Sequence, residues 1–157
     1  MSDQGQVCYT FEAAVEMAIS MENEGFRHYL EALRIVKNKG AKEILREAAL
    51  DELEHKHQLE KALVEGRMVE GGLSNNVPTM NLDYVLDQKE LSSNSDSREA
   101  LAYAIHLEKS TIDFYQRMTQ GCAGAPMGKL FEQLLADESR HLQSLEDLYE
   151  EHFLTEN

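Results

Sequence analysis

The sequence predicts an all-α protein, a four-helix bundle built from two helical hairpins joined by a long crossover. Three observations lead to this fold. Helix formers dominate, and two Pro and nine Gly are all that interrupt 157 residues. Apolar residues recur at helical spacing over four long segments, roughly 10–37, 41–66, 97–120 and 126–152. Finally, the second pair of segments repeats the first at a fixed offset.

Each element carries its own signals. Thr10 can cap the first helix, with Glu12 in its first turn, and a short turn at Asn38 to Gly40 leads into the second. Asp96 with Glu99 forms a capping box for the third helix, and Pro126 after Gly124 opens the fourth beyond a turn at 121–125. Between the hairpins, EGGLSNNVPTMNLDYVLDQKELSSNSDS (70–97) is polar at both ends, with an apolar patch around Tyr84, Val85 and Leu86. A helix of about 26 residues is about 39 Å long, so a connection of this length can travel the height of a bundle. The third helix then starts in the same direction as the second. One domain is expected over 1–157, with hairpins 10–66 and 97–152 and a crossover at 67–96.

Charge narrows the function. Fifteen Lys and Arg against 29 Asp and Glu give a net charge of -14, which disfavours nucleic acid and anionic membranes and favours cations. Cys8 and Cys122 form no Cys-x-x-Cys pair, so neither a thiolate zinc site nor a disulfide framework is indicated. The start, MSDQGQVCYTF, has neither a basic nor an apolar run, and a cytoplasmic location is the expectation.

The repeat identifies the candidate site. Placing residues 17–63 over 103–149 aligns Ala18 with Ala104, Ile19 with Ile105, Glu22 with Glu108 and Tyr29 with Tyr115. It also aligns Asp51 with Asp137, Glu52 with Glu138, His55 with His141 and Glu60 with Glu146. The stretch DELEHKH holds Glu-x-x-His twice, but the repeat retains only Glu52 and His55, because Glu54 falls on Arg140 and His57 on Gln143. Helical phase agrees. Leu45, Ala48, Ala49, Glu52, His55, Leu59 and Ala62 form one inward stripe, while Glu54 and His57 lie on a charged, solvated face. The first helix aligns Ala14, Ala18, Glu22, Phe26, Tyr29, Leu33 and Val36, and the third aligns Leu101, Ala104, Glu108, Ile112, Tyr115 and Met118.

Each inward stripe thus carries a carboxylate. Carboxylates in a dry core cost several kcal/mol apiece unless protonated or paired, and the inward positions offer no Lys or Arg. A cation must come from outside. Two metal ions held by Glu22, Glu52, His55, Glu108, Glu138 and His141 meet that demand, and oxygen with imidazole ligation suits iron or manganese, with zinc as a substitute. His28, His106 and His152 have no repeat partner and are assigned to the surface or to the surroundings of the site. Gly25, opposite Thr111 in the repeat, leaves two readings open: room for oxygen or peroxide, or close helix packing.

The pairs ENEGFRHY with DELEH and EKSTIDFY with DESRH resemble the ferritin-like superfamily, specifically its rubrerythrin-type di-iron domains. The resemblance covers nearly the whole chain. It implies the same six ligands, with Glu52 and Glu138 bridging and Tyr29 and Tyr115 hydrogen-bonding ligand carboxylates. It further implies two iron ions, reaction with peroxide or dioxygen, an external electron donor, and a homodimer or larger homo-oligomer. Two departures stand out. The chain has no rubredoxin-like segment with four cysteines, and Thr111 occupies the position of a further Glu. Bacterioferritins share the six-ligand pattern but place a haem-ligating Met where this chain has Leu53, so no haem is expected. An iron-storing ferroxidase and a metal-binding bundle without catalysis are the alternative readings.

Overall fold

The structure, a computed structural model, describes residues 10–67, 81–84, 86, 90–121 and 126–154. Four helices make up the bundle: α1 Phe11–Ile35, α2 Lys39–Glu65, α3 Ser97–Gly121 and α4 Pro126–Tyr149. A 3-10 turn at Leu82–Tyr84 interrupts the crossover, and a π-turn at Glu150–Leu154 continues α4. No strand occurs among the described residues, and no helix among them is long and apolar enough to cross a membrane.

The caps follow the residue chemistry. Thr10 accepts from Ala13 N at 3.2 Å, and Asp96 accepts from Glu99 N at 2.9 Å, each occupying one of the amides a helix start leaves unpaired. The first turn differs from the sequence expectation. Asn38 is the N-cap of α2, accepting from Ala41 N at 2.9 Å, so Gly40 belongs to the helix and the connection is Val36 to Asn38. The Asn cap wins because its side chain satisfies a donor that a turn through Gly40 would leave unpaired. Residues 122–125 of the second turn, both cysteines and Val85 lie outside the described residues.

Small side chains set how the hairpins meet. Ala41, Leu45, Ala48 and Ala49 of α2 pack with Ala100 and Ala104 of α3, so the N-terminal halves of these helices lie together. Ser97 at the start of α3 donates to the Asn38 cap of α2 at 3.3 Å, which ties the two helix starts at one end of the bundle. The two helices therefore run in the same direction, as a crossover spanning the bundle requires.

Two apolar layers bracket the middle of the bundle. One joins Tyr29, Ala32 and Val36 to the alanine seam, and the other joins Ala14, Val15 and Ala18 to Leu59, Tyr115, Leu130, Phe131 and Leu134. On the outer side of α3 and α4, the crossover's Leu82 and Leu86 pack with Leu101, Ile105, Leu142 and Tyr149. Glu146, fully buried, accepts from Leu82 N at 2.8 Å, and the His106 ring meets Leu86 O at 2.9 Å. These polar contacts fasten the crossover to the second hairpin.

Candidate metal centre

Glu22, Glu52, Glu108 and Glu138 lie between the two apolar layers, at 0%, 3%, 3% and 1% exposure. All four helices contribute one because each inward stripe carries a Glu at that height. His55 is 16% exposed, and His141 stacks on it with ring centroids 4.5 Å apart and 14° between planes. Glu54 and His57 are exposed, out of helical phase with buried Glu52.

Donor atoms converge in two overlapping groups. Glu22, Glu52, His55 and Glu138 each present one with all separations inside 4.8 Å, and so do His55, Glu138 and His141. Glu108 falls outside these groups but adjoins them, since its charge acts on both Glu52 and Glu138. The tyrosines serve the opposite hairpin. Tyr29 of α1 donates to Glu108 Oε1 at 3.1 Å, and Tyr115 of α3 donates to Glu22 Oε1 at 3.2 Å.

Without a metal, the cluster keeps its charge down by holding protons. Burial, then hydrogen bonding with Glu22 and the charge of Glu108, raises the Glu52 carboxyl far above its ordinary range. Burial and the charges of Glu108 and Glu22 do the same to Glu138. Burial also works against ionisation of Glu22, but hydrogen bonds with His55, Glu52 and Glu138 and the His55 charge outweigh it and hold that carboxyl at about 2. Burial likewise lowers His55, and the hydrogen bond and charge of Glu22 more than reverse it. The imidazole Nδ1 is nearer Glu138 Oε1, at 3.1 Å, than Glu22 Oε2, at 3.6 Å. Because Glu138 holds its proton, the negative charge facing His55 is principally that of Glu22.

This arrangement fits a divalent metal. Glu108 Oε2 and Glu138 Oε2 are buried without a hydrogen-bond partner, and Glu22 Oε2 has only the His55 ring, at 3.6 Å. Orphaned buried oxygens cost roughly 1–3 kcal/mol each, more when charged, and a cation would satisfy all three. Carboxylate with imidazole is a donor set for iron, manganese or zinc. Between α2 and α4 a recess of about 370 Å³ reaches His55 and His141 from the surface. Asp51, Glu54, Gln58 and Asp137 line it together with Arg140, which pairs with Asp137.

The structure also answers the question raised by Gly25. A Cβ there would lie 3.2 Å from Glu52 Cδ and 3.3 Å from its Oε2, so the space beside Gly25 is filled by that carboxylate. The repeat also pairs residues that the structure sets apart. Glu60 and Glu146 match in the repeat, yet Glu60 is 53% exposed while Glu146 is buried against the crossover. Asp137, just before the second Glu-x-x-His, and Arg140, within it, were not proposed as site residues, and their place at the recess follows from helical phase once α2 and α4 are known to face each other.

No match was found among curated proteins or solved structures. The family model described as Rubrerythrin matches residues 13–149, which takes in all four helices and every residue of the cluster, and the chain belongs to that family.

Proposed function

We propose that this protein is a non-haem di-iron oxidoreductase that reduces peroxide or dioxygen and is re-reduced by an external electron donor. The observation that supports it most is the convergence of buried carboxylates on two imidazoles, with Glu108 Oε2 and Glu138 Oε2 buried and without a hydrogen-bond partner. Glu22, Glu52, Glu108, Glu138, His55 and His141 would hold the two ions. When bound, a diferrous pair would supply two electrons, which with two protons reduce hydrogen peroxide to two waters or dioxygen to hydrogen peroxide.

The chain's own residues would do the rest. The four carboxylates match the charge of two divalent ions, so loading requires the protons on Glu52, Glu138 and His55 to leave. Tyr115 and Tyr29 would fix the orientation of Glu22 and Glu108 by donating to Oε1 of each. The apolar layers above and below exclude water, while the α2 and α4 recess admits a small oxidant to the imidazole side. In the functional assembly we propose a homodimer or larger oligomer; Leu50 and Leu53, 56% and 39% exposed on α2, are apolar positions available to such a contact.

Stopped-flow mixing of the anaerobically Fe(II)-loaded protein with peroxide and with oxygen tests the reading. Rapid appearance of ferric absorbance with at least one of them is expected. A fully loaded protein inert to both would exclude it.

A further inference from the structure

We infer that Gly25 is a positioning residue whose missing side chain forms a notch in α1 that seats the Glu52 carboxylate. This rests on the reading that Glu52 is a metal ligand. Gly25 stands in the interior of a 25-residue helix, where glycine is disfavoured and Ala would be the natural choice. Its backbone is ordinary helix, and α2 meets it through the side chain of Glu52. All three nearest atoms to an added Cβ belong to that carboxylate, at 3.2, 3.3 and 3.5 Å.

A methyl group at 3.2 Å would displace the carboxylate by a few tenths of an ångström. Glu52 has little freedom to absorb the shift, since it is 3% exposed and enclosed by Glu22 and Glu108. The repeat sharpens the point. Thr111, the counterpart of Gly25, has a side chain, and its hydroxyl donates back to Leu107 O at 3.4 Å. The two Glu-x-x-His motifs therefore face different neighbours. Glu52 has a notch in α1, whereas Glu138 Oε1 is held by the His55 ring at 3.1 Å. The near-twofold sequence repeat encloses an unsymmetrical site, and Gly25 is one source of the asymmetry.

Co(II) titration followed by its visible absorption tests this, with thermal melts of the metal-free protein alongside. Gly25→Ala should weaken Co(II) binding about 10- to 100-fold, the usual range for residues that orient metal ligands, and should alter the band shape. The metal-free melting temperature should fall, because the added methyl meets Glu52 before any ion binds. Thr111→Ala should leave affinity and spectrum unchanged. Glu52→Asp shortens the carboxylate by one methylene, so its loss and that of Gly25→Ala should be less than additive in the double variant. If Gly25→Ala does not fold, the double variant should, because the shorter side chain withdraws from the added methyl. A Gly25→Ala protein that melts lower yet binds Co(II) with wild-type affinity and spectrum would overturn the inference and leave the metal site standing. Strict additivity of the two losses, or a double variant that also fails to fold, would overturn it too. Failure of the wild type to bind Co(II) would instead remove the metal reading on which it depends.

Discussion

Raising the pH should destabilise the metal-free protein, against the behaviour of most acidic proteins between pH 5 and 7. Glu52 and Glu138 hold their protons in the folded state well above the ordinary carboxyl value of 4.5, whereas in the unfolded chain they release them near it. The folded state then binds more protons, so stability is complete below about 4.5 and is lost as the pH rises. Each such proton is worth about 1.36 kcal/mol per pH unit, and two give a slope of about 2.7 kcal/mol per unit. At 3% and 1% exposure solvent screens neither carboxyl appreciably. From pH 5 to pH 7 the loss reaches about 5 kcal/mol as an upper limit, comparable to the whole stability of a marginal domain. His55, raised above its ordinary 6.5, adds to the loss near neutrality. Glu22 acts in the opposite sense, but between 4.5 and about 2, below this window. Urea unfolding of chelator-treated protein at pH 5, 6 and 7, followed by helical circular dichroism, measures the slope. Glu52→Gln removes one titrating group without removing its bulk and should roughly halve it. A flat or rising profile would refute burial of protonated carboxyls at the centre.

Other substitutions separate the site from its surroundings. Glu52→Ala or His55→Ala should reduce metal binding at least tenfold in an equilibrium titration, while Glu54→Ala or His57→Ala should leave it nearly intact, as befits exposed residues. Glu146→Ala removes the buried acceptor for Leu82 N and should cost about 1–3 kcal/mol. Faster hydrogen exchange at the Leu82 amide, with metal stoichiometry unchanged, is the expected signature.

Much of this was legible in the sequence because the polar residues at stake lie on helices, where spacing determines which way a side chain points. The same periodicity that buries Leu45, Ala48 and Leu59 carries Glu52 inward and Glu54 outward, and the repeat chose between two otherwise equal Glu-x-x-His pairs. The membership of Glu22 and Glu138 in one donor group with Glu52 and His55 follows from the same phase. What spacing could not supply depends on contacts between segments. Glu60 and Glu146 look equivalent in the repeat, but the crossover packs only on the second hairpin, and Glu146 alone has a backbone amide to receive. Gly25 was ambiguous for a similar reason, since nothing in α1 by itself says that a side chain of α2 fills the gap. The exchange of tyrosines between hairpins, Tyr29 to Glu108 and Tyr115 to Glu22, likewise appears only when the halves are assembled.

Anaerobic titration with Fe(II), read by metal analysis after desalting, bears most directly on the claim that four buried carboxylates and two imidazoles form a binuclear centre. Two ions per chain are expected, with release of the protons held by Glu52, Glu138 and His55 and with a higher melting temperature. Saturation at one ion or fewer per chain, or unchanged stability on loading, would contradict it.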